Sequence, residues 1–258
     1  MVMVNDMDNR WLDAEHARLT REAHALCNER FPRRFRAATV THPDVAAWVT
    51  EFHDLGDVAA GLLIGGSVGA GKTWQAYAAV RAAVTRPVMS RAGHPHLHAW
   101  RTMTFAGYCA FMRPRPGTDT EGNYQRLVRL PLLMVDDLGI AKGSDFTEEI
   151  TYRLVNDRSE SCLPTVFTTN YSGQDIQDKL GDRIYSRLTQ MCRTVAVNET
   201  DQRRQNGVQT VLESTHSPER PGSGTRGWDG PPAPVTDAHR RAALEAMRRE
   251  IRDRGYGT

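Results

Sequence analysis

Residues 66–73 read GSVGAGKT: Gly66, Ser67, Val68, Gly69, Ala70, Gly71, Lys72 and Thr73. Glycines at this spacing let a backbone curl until successive amides converge on one point, which suits a phosphate. Lys72 supplies a mobile positive charge for the β- and γ-phosphates of a nucleoside triphosphate, and the Thr73 hydroxyl is placed to ligate magnesium. Lysine occurs only at positions 72, 142 and 179, arginine serving as the cation everywhere else, so a lysine here is informative. The loop also has the context that the chemistry requires. An apolar strand, GLLIGG, runs into it, and the helix KTWQAYAAVRAAV leaves it with its positive end turned to the anion.

Two carboxylates supply the partner signal. LLMVDD, residues 132–137, is an apolar run ending in Asp136 and Asp137, at the strand end where open α/β sheets bind ligands. Asp136 is expected to hold magnesium, through water, and Asp137 to orient or deprotonate the attacking water. PTVFTTN ends in Asn170 at the tip of another strand. That side chain could hydrogen-bond the γ-phosphate or the water; it could equally be a turn-forming Asn, and position alone leaves both open.

The elements that must position these residues follow from periodicity. DNRWLDAEHARLTREAHALCNER predicts an amphipathic helix with Leu12, Leu19 and Leu26 on one seam, Trp11 and Ala23 beside it. A second helix starts at HPD and ends at Gly56, its inner face Val45, Trp48, Val49, Phe52 and Leu55. Strands are expected at GLLIGG, HAWRTM, LPLLMV, PTVFTTN and TVAV, with helices at KTWQAYAAVRAAV, TFAGYCAFMR, SDFTEEITYRLVNDR and GDRIYSRLTQ. In the third of these, Asp145 and Glu148 are spaced as a capping box. Five strands alternating with helices imply an open parallel sheet covered on both faces. THSPERPGSGTRGWDGPPAPV reads as a flexible linker, and TDAHRRAALEAMRREIRDR as a terminal basic helix with i,i+4 ion pairs. The expected divisions are a helical amino-terminal segment over 1–40, an ATPase domain over 41–204, a linker over 205–235 and a helix over 236–258.

Composition sets outer limits. The 258 residues are 40% hydrophobic and 25% charged, the profile of a globular protein with a core. No apolar run is long enough for a membrane span, and the first residues lack a signal-peptide pattern. Four scattered cysteines suit a reducing cytoplasm rather than a disulfide framework. A net charge of +2 does not by itself argue for nucleic acid. HPHLH places His94, His96 and His98 alternately without a neighbouring acid or cysteine, and reads as an edge or loop rather than a zinc site. The arginines of PRRFR, FMRPRPG and RLVRL could meet single-stranded DNA phosphates or be ordinary surface.

Together, GSVGAGKT, LLMVDDLG, LPTVFTTN, GDRIYSRL and DQRR resemble the AAA+ ATPases of the DnaC/DnaI helicase-loader and IstB-like family, over roughly residues 32–204. The resemblance implies a P-loop NTPase with a RecA-like AAA+ core, using ATP and magnesium. It places Asn170 at the family's sensor-1 position. Arg183 and Arg187 fall on the family's box VII, where an arginine reaches the ATP of a neighbouring subunit. Sharing one helix face at i,i+4, they read as Arg187 the finger and Arg183 its support or a salt-bridge partner, with a solvated helix face in an Arg-rich chain as the alternative. Arg203 or Arg204 falls near the sensor-2 arginine that reads the subunit's own nucleotide. PRRFRAAT looks like the segment that opens the ATPase module and runs near the adenine. Many AAA+ proteins carry Glu where this chain has Asp137. The implied function is ATP-dependent loading of a replicative helicase onto single-stranded DNA by an ATP-dependent homo-oligomer. The alternatives are an IstB-like transposition helper and a nucleotide-gated adaptor with little turnover.

Overall fold

A computed structural model of the chain describes residues 2–89, 95–139 and 145–197, with side chains from residue 10 onward. The expected linker and terminal helix, with Arg203 and Arg204, lie outside the described residues. The chain begins with α1 (Val2–Arg30), α2 (Pro43–Leu55), β1 (Gly61–Gly65), α3 (Lys72–Val84) and a short antiparallel pair, β2 (Val88–Met89) and β3 (Pro95–His96). It continues through β4 (Trp100–Thr104), α4 (Phe105–Met112), α5 (Thr120–Val128), β5 (Leu132–Asp136) and α6 (Asp145–Glu160). It closes with β6 (Thr165–Thr169), α7 (Gly173–Leu180), α8 (Asp182–Met191) and β7 (Cys192–Ala196).

The five long strands form one parallel sheet in the order β4-β5-β6-β1-β7. Alternate residues feed two cores, because successive side chains leave a strand on opposite faces. Leu62, Ile64, Leu132, Met134 and Val166 face α1, α2 and α3. Leu63, Leu133, Val135 and Phe167 face α4 to α8. Burial on both sides explains why these strands appear in the sequence as unbroken apolar runs.

All five expected strands are present. The expected helix at GDRIYSRLTQ is α8, but α5, ahead of β5, and α7, ahead of α8, were not expected. Their N-termini are held by capping: the Asp119 carboxylate accepts from the Gly122 amide, and Ser172 with Asp175 forms a full capping box. The Asp145–Glu148 spacing lies in the first turn of α6, behind residues outside those described. The seam of α1 differs from its leucine pattern. Leu19, Ala23 and Cys27 are its buried row, Leu26 is half-buried, and Trp11 is exposed. Small residues at i,i+4 spacing let the helix lie close, and Phe31 just beyond it packs on Tyr77 and Trp100.

Among the described residues no helix is long and apolar enough to cross a membrane, and no cluster of three or more His, Cys, Asp or Glu could hold a metal ion. His96 lies in the short antiparallel pair, His98 packs edge-on against Phe52, and His94 lies outside the described residues.

One cation belongs to the core. Arg158 of α6 is fully buried. Its Nε donates to Thr165 Oγ1 at 2.6 Å, Nη1 to the carbonyls of Val128 and Leu130 at 2.8 and 2.9 Å, and Nη2 to that of Pro164 at 2.7 Å. Burial pushes its pKa down to about 9, so it stays charged at neutral pH. The fork thereby ties the entries of β5 and β6 together beneath the sheet. Arg158→Met should strand these acceptors and cost about 3 kcal/mol of stability in urea unfolding, while Arg129→Met, at an exposed neighbour, should stay within about 0.5 kcal/mol.

Candidate functional site

The loop at 66–73 joins β1 to α3 at the carboxyl ends of the strands. Gly71 caps α3 in the left-handed region, φ 94°, and so turns the chain sharply into the helix. At Gly66, φ 151°, a side chain would strike the carbonyl oxygen of Val197, whose amide bonds to Gly65 O at 2.8 Å. The end of β7 therefore presses on the loop and requires glycine there. The first amides of α3 have no acceptor within the helix and carry the positive end of its dipole, which makes this loop an anion cradle.

Lys72 is 7% exposed, and its Nζ donates to the Ser67 carbonyl at 2.6 Å. Burial pushes its pKa down, while the nearby charges of Asp137 and Asp136 push it back up. The ammonium is thus held inside the loop, with acids as its compensating charges.

Asp136 is where separate elements meet. Its Oδ1 accepts from the Thr73 hydroxyl at 3.0 Å and from the Thr168 hydroxyl at 2.7 Å. Thr168 also accepts from the Asp137 amide at 2.8 Å. Asp137 sits at φ 60°, an uncommon backbone for a non-glycine residue, and its Oδ1 accepts from Asn170 Nδ2 at 3.0 Å. Thr169 Oγ1 donates to the Leu138 carbonyl at 2.7 Å, fixing the chain beyond the acids. A threonine hydroxyl beside a carboxylate, with oxygen donors only, fits a small hard cation such as magnesium. The lysine and the converging amides beside them fit a polyphosphate.

Gly66 to Thr73, Asp136, Asp137 and Asn170 are therefore gathered at one end of the sheet. Arg183 and Arg187 stand apart on α8, and among the described residues no hydrogen bond or ion pair links them to the loop or to the two acids. Arg183 is exposed; Arg187 is half-exposed with Nη2 3.9 Å from Glu160 Oε1. With Tyr152, Asp182, Ser186 and Gln190 they line a surface cleft of about 620 Å³.

Two contributors were not expected from sequence. Thr168 is a threonine inside an apolar strand, and nothing local distinguishes it from a packing residue. Gln75 carries a clearer signal, being a polar residue on the buried face of α3. Its Oε1 accepts from the amides of Thr41 and His42 at 3.2 and 3.3 Å, and its Nε2 donates to Thr41 Oγ1 at 2.5 Å. Phe35 stacks on Tyr77 with ring centroids 4.5 Å apart, so the strap after α1 is pinned along the helix that leaves the cradle.

No family model and no curated protein matches the chain. Solved structures do. The crystal structure of the DnaC helicase loader superposes with a TM-score of 0.53 and 21% identity, over 64% of this chain and 99% of that one. The crystal structure of DnaI gives 0.52 and 19% identity, over 66% of this chain and 93% of that one. At this identity the likeness establishes the fold alone: the DnaC and DnaI core, a five-stranded parallel sheet between helical layers.

Thr168→Val keeps the side-chain shape but leaves the Asp137 amide without its acceptor and Asp136 with one of its two hydroxyl donors removed. It should lower unfolding free energy by roughly 1–3 kcal/mol, and Thr168→Ser should restore most of the loss, as read by urea denaturation.

Proposed function

We propose that this chain is a magnesium-dependent ATPase that loads a replicative DNA helicase onto single-stranded DNA. The observation that carries the ATPase reading is the Thr73–Asp136 contact of 3.0 Å at the mouth of the glycine loop, between residues far apart in sequence. The loader reading is supported by the run of motifs from LLMVDDLG through LPTVFTTN to GDRIYSRL, in a core of the same fold as the DnaC helicase loader.

The loop amides and Lys72 hold the β- and γ-phosphates. Magnesium, held by Thr73 and through water by Asp136, would neutralise charge between those phosphates. Asp137 orients or deprotonates the attacking water, and Asn170, already bonded to that carboxylate, fixes its direction. The short Asp side chain makes turnover slow until subunits assemble. Arg187, supported by Arg183, leaves Glu160 and serves the γ-phosphate held by a neighbouring subunit. Arg203 or Arg204 reads the subunit's own nucleotide. The strap pinned by Gln75 and Tyr77 borders the adenine. ATP binding then organises subunits side by side around single-stranded DNA and brings the helicase to it; hydrolysis resets the complex.

Lys72→Ala should lower ATP affinity at least tenfold in equilibrium titration; unchanged affinity would remove the basis of the proposal. Arg187→Ala should retain ATP binding and lose about a thousandfold in assembly-dependent phosphate release, with unchanged turnover at high protein concentration counting against the trans role. In a pull-down from the native host, a hexameric helicase should be retained with ATP and lost without it. Retention of bent duplex DNA with a transposase would instead favour an IstB-like helper, and a retained partner without measurable phosphate release would favour a nucleotide-gated adaptor.

A further inference from the structure

Among the described residues the sheet ends at β4, which pairs only with β5. Leu132 N donates to Ala99 O at 3.3 Å, which sets the phase of that ladder. Residues 99, 101 and 103 turn their backbone groups toward β5, and Trp100 and Thr102 turn theirs outward. A cleft of about 550 Å³ runs along this edge. It reaches both faces of the sheet. Arg30 caps the Trp100 ring at 5.2 Å on one face, and Arg101 caps the Phe111 ring at 5.2 Å on the other. Arg126 joins them, held by its Nη2 donating to Asn123 Oδ1 at 2.6 Å. Among the described residues no carboxylate lines the cleft.

We propose that this edge receives an extended acidic segment of a partner protein as an added strand. An open strand edge offers alternating donors and acceptors that only another polypeptide backbone can match in register. The three arginines, spread over both faces, match acidic side chains that alternate between the faces of such a strand. The other occupants fit less well. A second copy of the same edge would bring arginines against arginines. Single-stranded nucleic acid gains its affinity for such surfaces by stacking bases on aromatic rings, and here Arg30 and Arg101 cover the Trp100 and Phe111 rings. The surface is separate from the glycine loop, so this inference stands or falls independently of nucleotide hydrolysis.

The test uses the full chain and a fluorescently labelled, alternating Thr-Glu decapeptide, with anisotropy as the readout. The peptide should bind with an affinity weakened at least tenfold by the Arg101→Glu/Arg126→Glu double variant, whose exposed positions leave the thermal transition in place. An alternating Thr-Lys decapeptide should not bind. Backbone N-methylation of the acidic peptide, which keeps its charge and removes its strand-pairing donors, should weaken binding by a similar factor. Any of four results overturns the proposal: no binding of the acidic peptide at about 1 mM, equal binding by the lysine peptide, undiminished binding by the methylated peptide, or no loss in the double variant. Tighter binding of an oligothymidylate of about fifteen nucleotides, abolished by the same substitutions, would assign the edge to nucleic acid and equally overturn it.

Discussion

Oδ1 of Asp136 takes two hydroxyl hydrogen bonds, one from the residue after the loop lysine and one from the neighbouring strand, at 3.0 and 2.7 Å. That one atom fixes the distance between the glycine loop, β5 and β6. Without it the loop could open from the acids by rotation about its own glycines, and the lysine and carboxylates would have no common geometry. The same atom explains why the sheet must be parallel and in this order. β5 and β1 flank β6, so Thr168 can reach the acid on one side while the loop leaving β1 approaches from the other.

Holding a charge in this place has a cost that the fold offsets locally. The Lys72 ammonium is buried, and burial disfavours its charged form; the two carboxylates favour it. A neutral residue in place of either acid would leave the lysine less compensated, and a neutral residue in place of the lysine would leave two acids facing each other. The cluster therefore holds its charge pattern as a unit. Arg158 solves a similar problem at the opposite end of the sheet by another route, with carbonyl and hydroxyl oxygens in place of a countercharge. Carbonyl dipoles are fixed by the backbone, so that site is rigid, whereas the lysine has a flexible stem and can exchange the Ser67 carbonyl for another acceptor.

The parts of the molecule legible in the sequence are those where one residue type carries a physical requirement by itself. GLLIGG, LPLLMV and PTVFTTN were readable because strands buried on both faces admit little except apolar residues. The meeting of the glycine loop with the Asp136–Asp137 pair was readable because one strand runs into glycines, another ends in acids, and both finish at the same edge of a parallel sheet. What escaped depends on partners distant in the chain. Thr168 acts through a hydroxyl that a packing threonine also carries, and only the register of β5 against β6 gives it two partners. Helix α7 has eight residues and is secured by its Ser172–Asp175 cap, which leaves little periodicity to detect. The α1 seam was misassigned because leucines outrank alanine and cysteine in hydrophobicity, while close approach to the sheet layer favours the smaller side chains. Arg158 was hidden by the abundance of arginine, since composition cannot distinguish a core fork from a surface charge.

The proposed role of Arg187 in an assembly turns on how loosely its side chain is held. Its 3.9 Å separation from Glu160 is at the limit of an ion pair, with both side chains substantially exposed. Such a contact contributes at most about 1 kcal/mol, so breaking it offers little resistance to a stronger anion. A triphosphate, were an adjacent subunit to present one as proposed, would carry more charge and a geometry that a guanidinium fork matches. Burial of the ring of Tyr108 and of Leu154 and Leu188 keeps α6 and α8 seated on the same core, so the proposed exchange would require only rotation of a side chain. A weak local partner on a rigid helix is the arrangement expected of a residue that must be held near one orientation yet released on contact. A deeply buried pair would have fixed the arginine in place and left it unable to answer a neighbour.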